Sequence, residues 1–235
     1  MSKTYLLRHY DRIDQDPERC PLDEARKWNR ENSKKPLYNV NPYLCAGDRV
    51  NDTVRNLTVL DNIKFDYVFC SPFLRCIETA IQLMDASPGN FKDKNIFIDY
   101  CLSEFIDTDL DPFKLPLDIT TIYEHSKTHL IANNPSYPTY TLVDHNVDLT
   151  FSASETEEEY LSRIEKTVKL LRSTCEGNIL FVSHGYAIKP FNSSIRKMEH
   201  GPLYDITPVT GGGFYDKYVK YKLKYLQLKK MKNLE

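Results

Sequence analysis

Two short apolar runs near opposite ends of this sequence each hand over to a histidine, and that pattern constrains the fold more than any other feature. Lys3–Leu7 reads as a buried strand followed by Arg8-His9, and Asn178–Val182 as another followed by Ser183-His184-Gly185. Open α/β sheets take their ligands outside the carboxyl ends of the strands, so both histidines are predicted at one sheet edge. Asp66–Cys70, strand-like in its turn, runs into Ser71-Pro72-Phe73-Leu74-Arg75 and brings an arginine to the same edge. Imidazoles and guanidinium groups converging there predict an anion pocket suited to phosphoryl transfer.

The rest of the chain alternates in type. Val50–Leu60 predicts a helix, and Pro72 is placed to open another that runs through Arg75 and Ala80 to about Met84. Asn95–Asp99 reads as a strand ending near Leu102-Ser103-Glu104. A helix from Glu155 to about Cys175 is predicted with Ser154 as its cap, since Glu157 three residues on completes a capping box. The last core strand is expected to pass through Ser183-His184-Gly185 into a further helix. Two stretches lack clear periodicity. Asp11–Asn41 is polar, holds the only tryptophan, Trp28, and reads as loop with one short helix. Phe105–Thr150 is rich in proline, threonine and tyrosine, and reads as an insertion over the sheet edge with a short helix near Thr120–Leu130.

This order predicts a three-layer α/β/α sandwich with a mostly parallel central sheet and an inserted cap subregion. One domain is expected over residues 1–215, with insertions at about 11–41 and 105–150. A basic tail, 216–235, follows. Tyr218, Tyr221, Tyr225 and Leu228 recur there at helical spacing among lysines, as in an amphipathic docking helix, an anionic-surface contact or a self-association seam. Its lysine-tyrosine texture also resembles tails in proteins of giant DNA viruses.

A formal charge of -2 gives no reason to expect nucleic acid as a partner. No apolar run approaches membrane-spanning length, and no charged n-region precedes an apolar segment at the start, so an intracellular, cytoplasmic protein is expected. Six cysteines form no C-x-x-C pair, which indicates neither a disulfide framework nor a zinc site. Cysteine-based phosphatase chemistry, which needs C-x5-R, fits poorly. Cys70 stands one residue too close to Arg75, and the Cys20–Arg26 loop would set Asp23 and Glu24 against a phosphate.

Four motifs in order carry a family resemblance. Leu7-Arg8-His9, Cys70-Ser71-Pro72-x-x-Arg75-x-x-Glu78-Thr79-Ala80, Leu102-Ser103-Glu104 and Val182-Ser183-His184-Gly185 resemble the histidine phosphatase (phosphoglycerate mutase-like) superfamily. Pro42-x-x-x-x-Gly47 resembles the segment before that family's first helix. Arg8-His9-x-x-Arg12-x-Asp14 is more similar to the branch of protein-tyrosine and steroid-phosphate phosphatases than to the sugar-phosphate mutases.

The resemblance implies a phosphomonoesterase of the histidine acid phosphatase type that uses no metal and no cofactor. It implies His9 as the nucleophile that carries a phosphohistidine, with Arg8, Arg12, Arg75 and His184 around the phosphoryl group. Glu104 is the implied proton donor, with Glu24 or Asp11 as competitors. The implied partner is a phosphorylated small molecule or phosphoprotein, and self-association stays open. Two alternatives stand beside hydrolysis. One is mutase-type phosphoryl transfer. The other is an impaired phospho-ligand binder, because Tyr10 occupies the position where the family has glycine. His125, His129, His145 and His200 read as structural or surface residues. His125 and His129, at i and i+4, lack an evident third metal ligand.

Overall fold

β1 (Thr4–Arg8) and β5 (Ile179–Ser183) are buried along their whole length, because parallel strands covered on both faces need no alternation of polar residues. They pair in parallel with Thr4 opposite Ile179 and Arg8 opposite Ser183. β2 (Tyr67–Cys70) lies on the other side of β5, with Cys70 opposite Val182. β3 (Asn95–Ile98) and β4 (Thr141–Asp144) extend the sheet in parallel, and β6 (Leu203–Asp205) closes the far edge antiparallel to β1. The strand order is β4-β3-β2-β5-β1-β6. The computed structural model describes residues 2–14, 22–32, 35, 41–44, 49–59, 63–105, 118–145, 155–195 and 197–207.

Helices cover both faces of this sheet. Among the described residues the helices in chain order are α1 (Leu22–Asn32), α2 (Arg49–Val59), α3 (Leu74–Ala86), α4 (Ile119–Asn133) and α5 (Glu157–Thr174). Leu7, Cys70, Leu180 and Val182 point into one core with residues of α2, α3 and α4; Leu6, Phe69, Ile179 and Phe181 point into the other with α5. Successive strand residues thus serve opposite layers, which makes the expected α/β/α sandwich. α3 is the most deeply buried helix, with Leu74, Ile77, Ile81 and Met84 at helical spacing.

Several local expectations are corrected. The capping box of α5 is Thr156 with Glu159, two residues later than predicted: each side chain bonds the other's backbone N–H. Ser154 lies outside the described residues, as do Gly47 and the tail 216–235. The expected helix after Gly185 is a single 3-10 turn, Gly185–Ile188. The stretch read as an insertion contributes β4 to the sheet, as well as α4. Phe73, not Pro72, precedes α3 directly, and its cap comes from far away. Asn41 Oδ1 accepts the Leu74 N–H at 2.7 Å, while Asn41 Nδ2 donates to Ser126 Oγ at 2.8 Å. Trp28 packs in a small separate cluster with Ile13 and Ala25.

Candidate active site

Because β1 and β5 are adjacent and in register, the residues that follow them leave the sheet side by side. His9 and His184 emerge with ring centroids 5.5 Å apart, both buried. The His9 main-chain N–H donates to Ser183 O at 3.0 Å, extending the ladder by one bond. Its Nδ1 lies 2.7 Å from the Tyr10 carbonyl oxygen. A carbonyl only accepts, so Nδ1 carries the proton and Nε2 the lone pair. Burial, then the positive charge of Arg75 and the proximity of His184, hold the His9 pKa well below the usual imidazole range. The ring is therefore neutral and nucleophilic at Nε2.

The β2 edge supplies the cation. Arg75, in the first turn of α3, is buried, lies over the Phe73 ring at 4.4 Å from its centroid, and donates through Nη2 to Glu104 Oε2. Glu104 is brought in from beyond β3 by a pinned segment. Cys101 N–H donates to Asp99 Oδ1, Ser183 Oγ donates to Leu102 O, and Arg163 of α5 donates to Cys101 O at 2.7 Å. Arg163 is itself buried and paired with Glu155.

His184 completes the set. Its Nδ1 stands 3.2 Å from Glu104 Oε2 and its Nε2 2.9 Å from Ser71 Oγ. Burial pushes the His184 pKa down to about 4, against the opposing pull of Glu104. A neutral ring that donates from Nδ1 to the carboxylate and accepts the Ser71 hydroxyl at Nε2 satisfies both contacts. Burial alone pushes the Glu104 carboxyl up, but His184 and Arg75 outweigh it and hold its pKa well below the usual carboxylate range.

Arg8 is also buried; its Nη1 donates to Met198 O at 3.0 Å, and its Nε, also buried, finds no acceptor among the described residues. A desolvated guanidinium N–H without a partner is costly, and an anion in the pocket satisfies it. Arg12 is placed differently from the other predicted cations. Its Nε and Nη2 are held in a fork by Asp14, at 2.9 and 2.7 Å, so two of its donors are already engaged.

One ligand atom from each of His9, Glu104 and His184 lies within 4.8 Å of the others, a grouping compatible in principle with a metal ion. The surrounding charges argue for an anion. A cation there would have to displace Arg75 from Glu104 and sit beside two buried guanidinium groups.

Tyr10 neither shapes the pocket mouth nor crowds its floor. Its side chain turns into the core, where the phenol donates to Thr53 Oγ on α2 at 3.0 Å; its main-chain N–H donates to Thr79 Oγ at 2.8 Å. His125 and His129 are half-buried on α4, the latter stacked on Tyr43 and 3.9 Å from Glu78, and His145 pairs with Asp99. His200 departs from expectation. It donates from Nδ1 to the His9 carbonyl, its ring 5.3 Å from the His9 ring. No sequence signal marks it, because the contact spans nearly the whole chain. Glu24 lies exposed on α1, and Asp11 is buried beside His200.

No family model and no curated protein matches the sequence. Solved structures do. Ecdysone phosphate phosphatase from Bombix mori, determined with tungstate, superposes with a TM-score of 0.57 at 17% identity, over 91% of this chain and 98% of that one. The chain has the histidine phosphatase fold. A candidate alpha-ribazole-5'-P phosphatase from Escherichia coli is a more distant match, with a TM-score of 0.48 at 17% identity over 86% of this chain and 89% of that one. The histidine phosphatase fold expected from four short motifs is thus present in three dimensions. Among the described residues no helix is long and apolar enough to cross a membrane.

Proposed function

We propose that this chain hydrolyses phosphomonoesters through a phosphohistidine on His9. The observation that carries the reading is the state of His9. It is neutral, it donates from Nδ1 to the Tyr10 carbonyl, and its Nε2 makes no hydrogen bond among the described residues, with Arg8, Arg75 and His184 around it. In this mechanism Nε2 attacks phosphorus and the bond to the leaving oxygen breaks. The imidazole becomes cationic, and the Nδ1–H bond to Tyr10 O strengthens as it does so. Buried guanidinium groups stabilise the equatorial oxygens, the dominant contribution in phosphoryl transfer. Arg12, paired with Asp14, adds positive charge near His184 and Arg75.

Glu104 acts as proton donor only after substrate arrives. In the free protein it is ionised by its pairing with Arg75 and His184. A bound phosphoryl group competes for Arg75 and sets negative charge beside the carboxylate, which favours its protonated form. A monoanionic phosphomonoester supplies that proton on binding. Glu104 then protonates the leaving oxygen, takes a proton from the attacking water, and the P–N bond breaks to restore neutral His9. The inward rotamer of Tyr10 supports an active enzyme over a disabled binder. Substrates of this reading are phosphorylated small molecules or phosphoproteins.

The test is phosphate release from an aryl phosphate with chelator present, for the native chain and His9→Ala. We expect turnover in the first alone, with radiolabel trapped on His9 at acid-labile linkage. Equal rates in both remove His9 as nucleophile.

A further inference from the structure

The segment Lys197–Gly201 plays no part in the reaction just described, yet it touches both histidine loops. Met198 N–H donates to Gly185 O at 2.9 Å, and Met198 O accepts from Arg8 Nη1 at 3.0 Å. The Lys197 stem lies on Gly185, where a Cβ would stand 2.7 Å from Lys197 Cγ. Gly201 O accepts the Thr53 hydroxyl at 2.7 Å, the same hydroxyl that takes the Tyr10 phenol. Between these contacts His200 donates from Nδ1 to His9 O, and its Nε2 stands 3.6 Å from Asp11 Oδ1.

These contacts fix one peptide unit from both sides. The plane joining His9 to Tyr10 has its oxygen held by His200 and its N–H held by Thr79 at 2.8 Å. The next carbonyl along, Tyr10 O, is the acceptor for His9 Nδ1. Rotating the first plane swings that acceptor away from the ring. The proton on Nδ1 would then lose its only partner among the described residues, and the ring would be released to turn or to exchange tautomers.

We propose that His200 is a positioning residue for the nucleophile: by holding the His9–Tyr10 peptide against Thr79, it presents the Tyr10 carbonyl to Nδ1 and so keeps the lone pair on Nε2. Asp11, buried 3.6 Å from Nε2 of His200, faces the ring from the opposite side. The proposal rests on the phosphohistidine reading for its kinetic consequence, but not for its structural one.

Three substitutions separate positioning from wall-building. An asparagine amide nitrogen stands near the position of imidazole Nδ1, and a glutamine amide nitrogen near that of Nε2. His200→Asn therefore keeps the donor to His9 O, while His200→Gln and His200→Ala lose it. Steady-state kinetics on an aryl phosphate are read together with long-range proton–nitrogen spectra of the imidazoles, which report the His9 tautomer without turnover. We expect His200→Ala and His200→Gln to lower kcat about 10- to 100-fold with little change in KM, and to mix the His9 tautomers. His200→Asn is expected to recover most of kcat and a single Nδ1–H tautomer. Native kcat and an unchanged tautomer in all three variants overturn the proposal. So does a loss that is equal in all three and follows thermal stability. If the native chain releases no phosphate while His200→Ala still scrambles the tautomer that His200→Asn preserves, the hydrolase reading fails and the positioning role stands.

Discussion

Replacing Tyr10 with glycine, the residue the histidine phosphatase pattern has at this place, is expected to harm the protein rather than improve it. The Tyr10 side chain is 3% exposed and packs in the core with residues of α2 and α3. Truncating a large aromatic side chain in such a setting costs about 3–5 kcal/mol. Loss of the phenol's hydrogen bond to Thr53 adds about 1 kcal/mol, and the freer glycine backbone roughly another 0.5–1. The sum, about 4.5–7 kcal/mol, matches or exceeds the whole stability of a weakly stable domain. Tyr10→Phe isolates the hydroxyl. Thr53 keeps its own acceptor, Gly201 O, so no buried donor is orphaned and the cost is about 1 kcal/mol. Urea unfolding of the native protein and both variants measures these differences, with phosphate release normalised to folded protein. Tyr10→Gly within about 1 kcal/mol of native stability, or with faster turnover, refutes the argument that this side chain is a core element outside the pocket.

Three further outcomes are expected. Arg75→Ala lowers kcat/KM for an aryl phosphate by on the order of 100-fold or more, and a loss below about tenfold shows that Arg75 is not the main phosphoryl ligand. Arg163→Met, which orphans buried Glu155 and releases the carbonyl of Cys101, destabilises the fold by about 3–5 kcal/mol in chemical unfolding and slows turnover by loosening the Glu104 segment. Stability falls as pH drops from the ordinary imidazole value of 6.5 to about 4, because the unfolded chain binds a proton that buried His184 refuses. The His184 share of that loss is roughly 3 kcal/mol and is absent above 6.5; His184→Gln removes this share and leaves the one from His9, which burial also holds low, and an unchanged pH profile in that variant refutes it.

What the sequence made legible follows from burial. β1, β2, β3 and β5 lie within one residue of the apolar runs that announced them, since central strands must be apolar nearly throughout. β4, Thr-Leu-Val-Asp, sits at the sheet edge with its ends exposed, and β6 has three residues; neither holds enough apolar character to stand out from loop. The site divides along similar lines. His9, Arg75, Glu104 and His184 come together as their motifs imply, because each follows a strand or opens a helix at one edge. Arg12 was legible as a cation but not as the partner of Asp14. Asn41, Arg163 and His200 were invisible in their roles, since each acts through main-chain atoms distant in sequence, and a carbonyl leaves no mark on residue type.

The parallel register of β1 and β5 has a consequence for how such a protein changes over time. The separation of the two histidines is set by a backbone ladder with Arg8 opposite Ser183, so it does not depend on which side chains fill the strands. Loops can be rewritten around this ladder without altering the spacing it sets. A slip of one residue in that ladder would instead turn one strand's side chains to the opposite layer and part the histidines at once. Sequence change in the strands is thereby decoupled from the spacing of the two histidines.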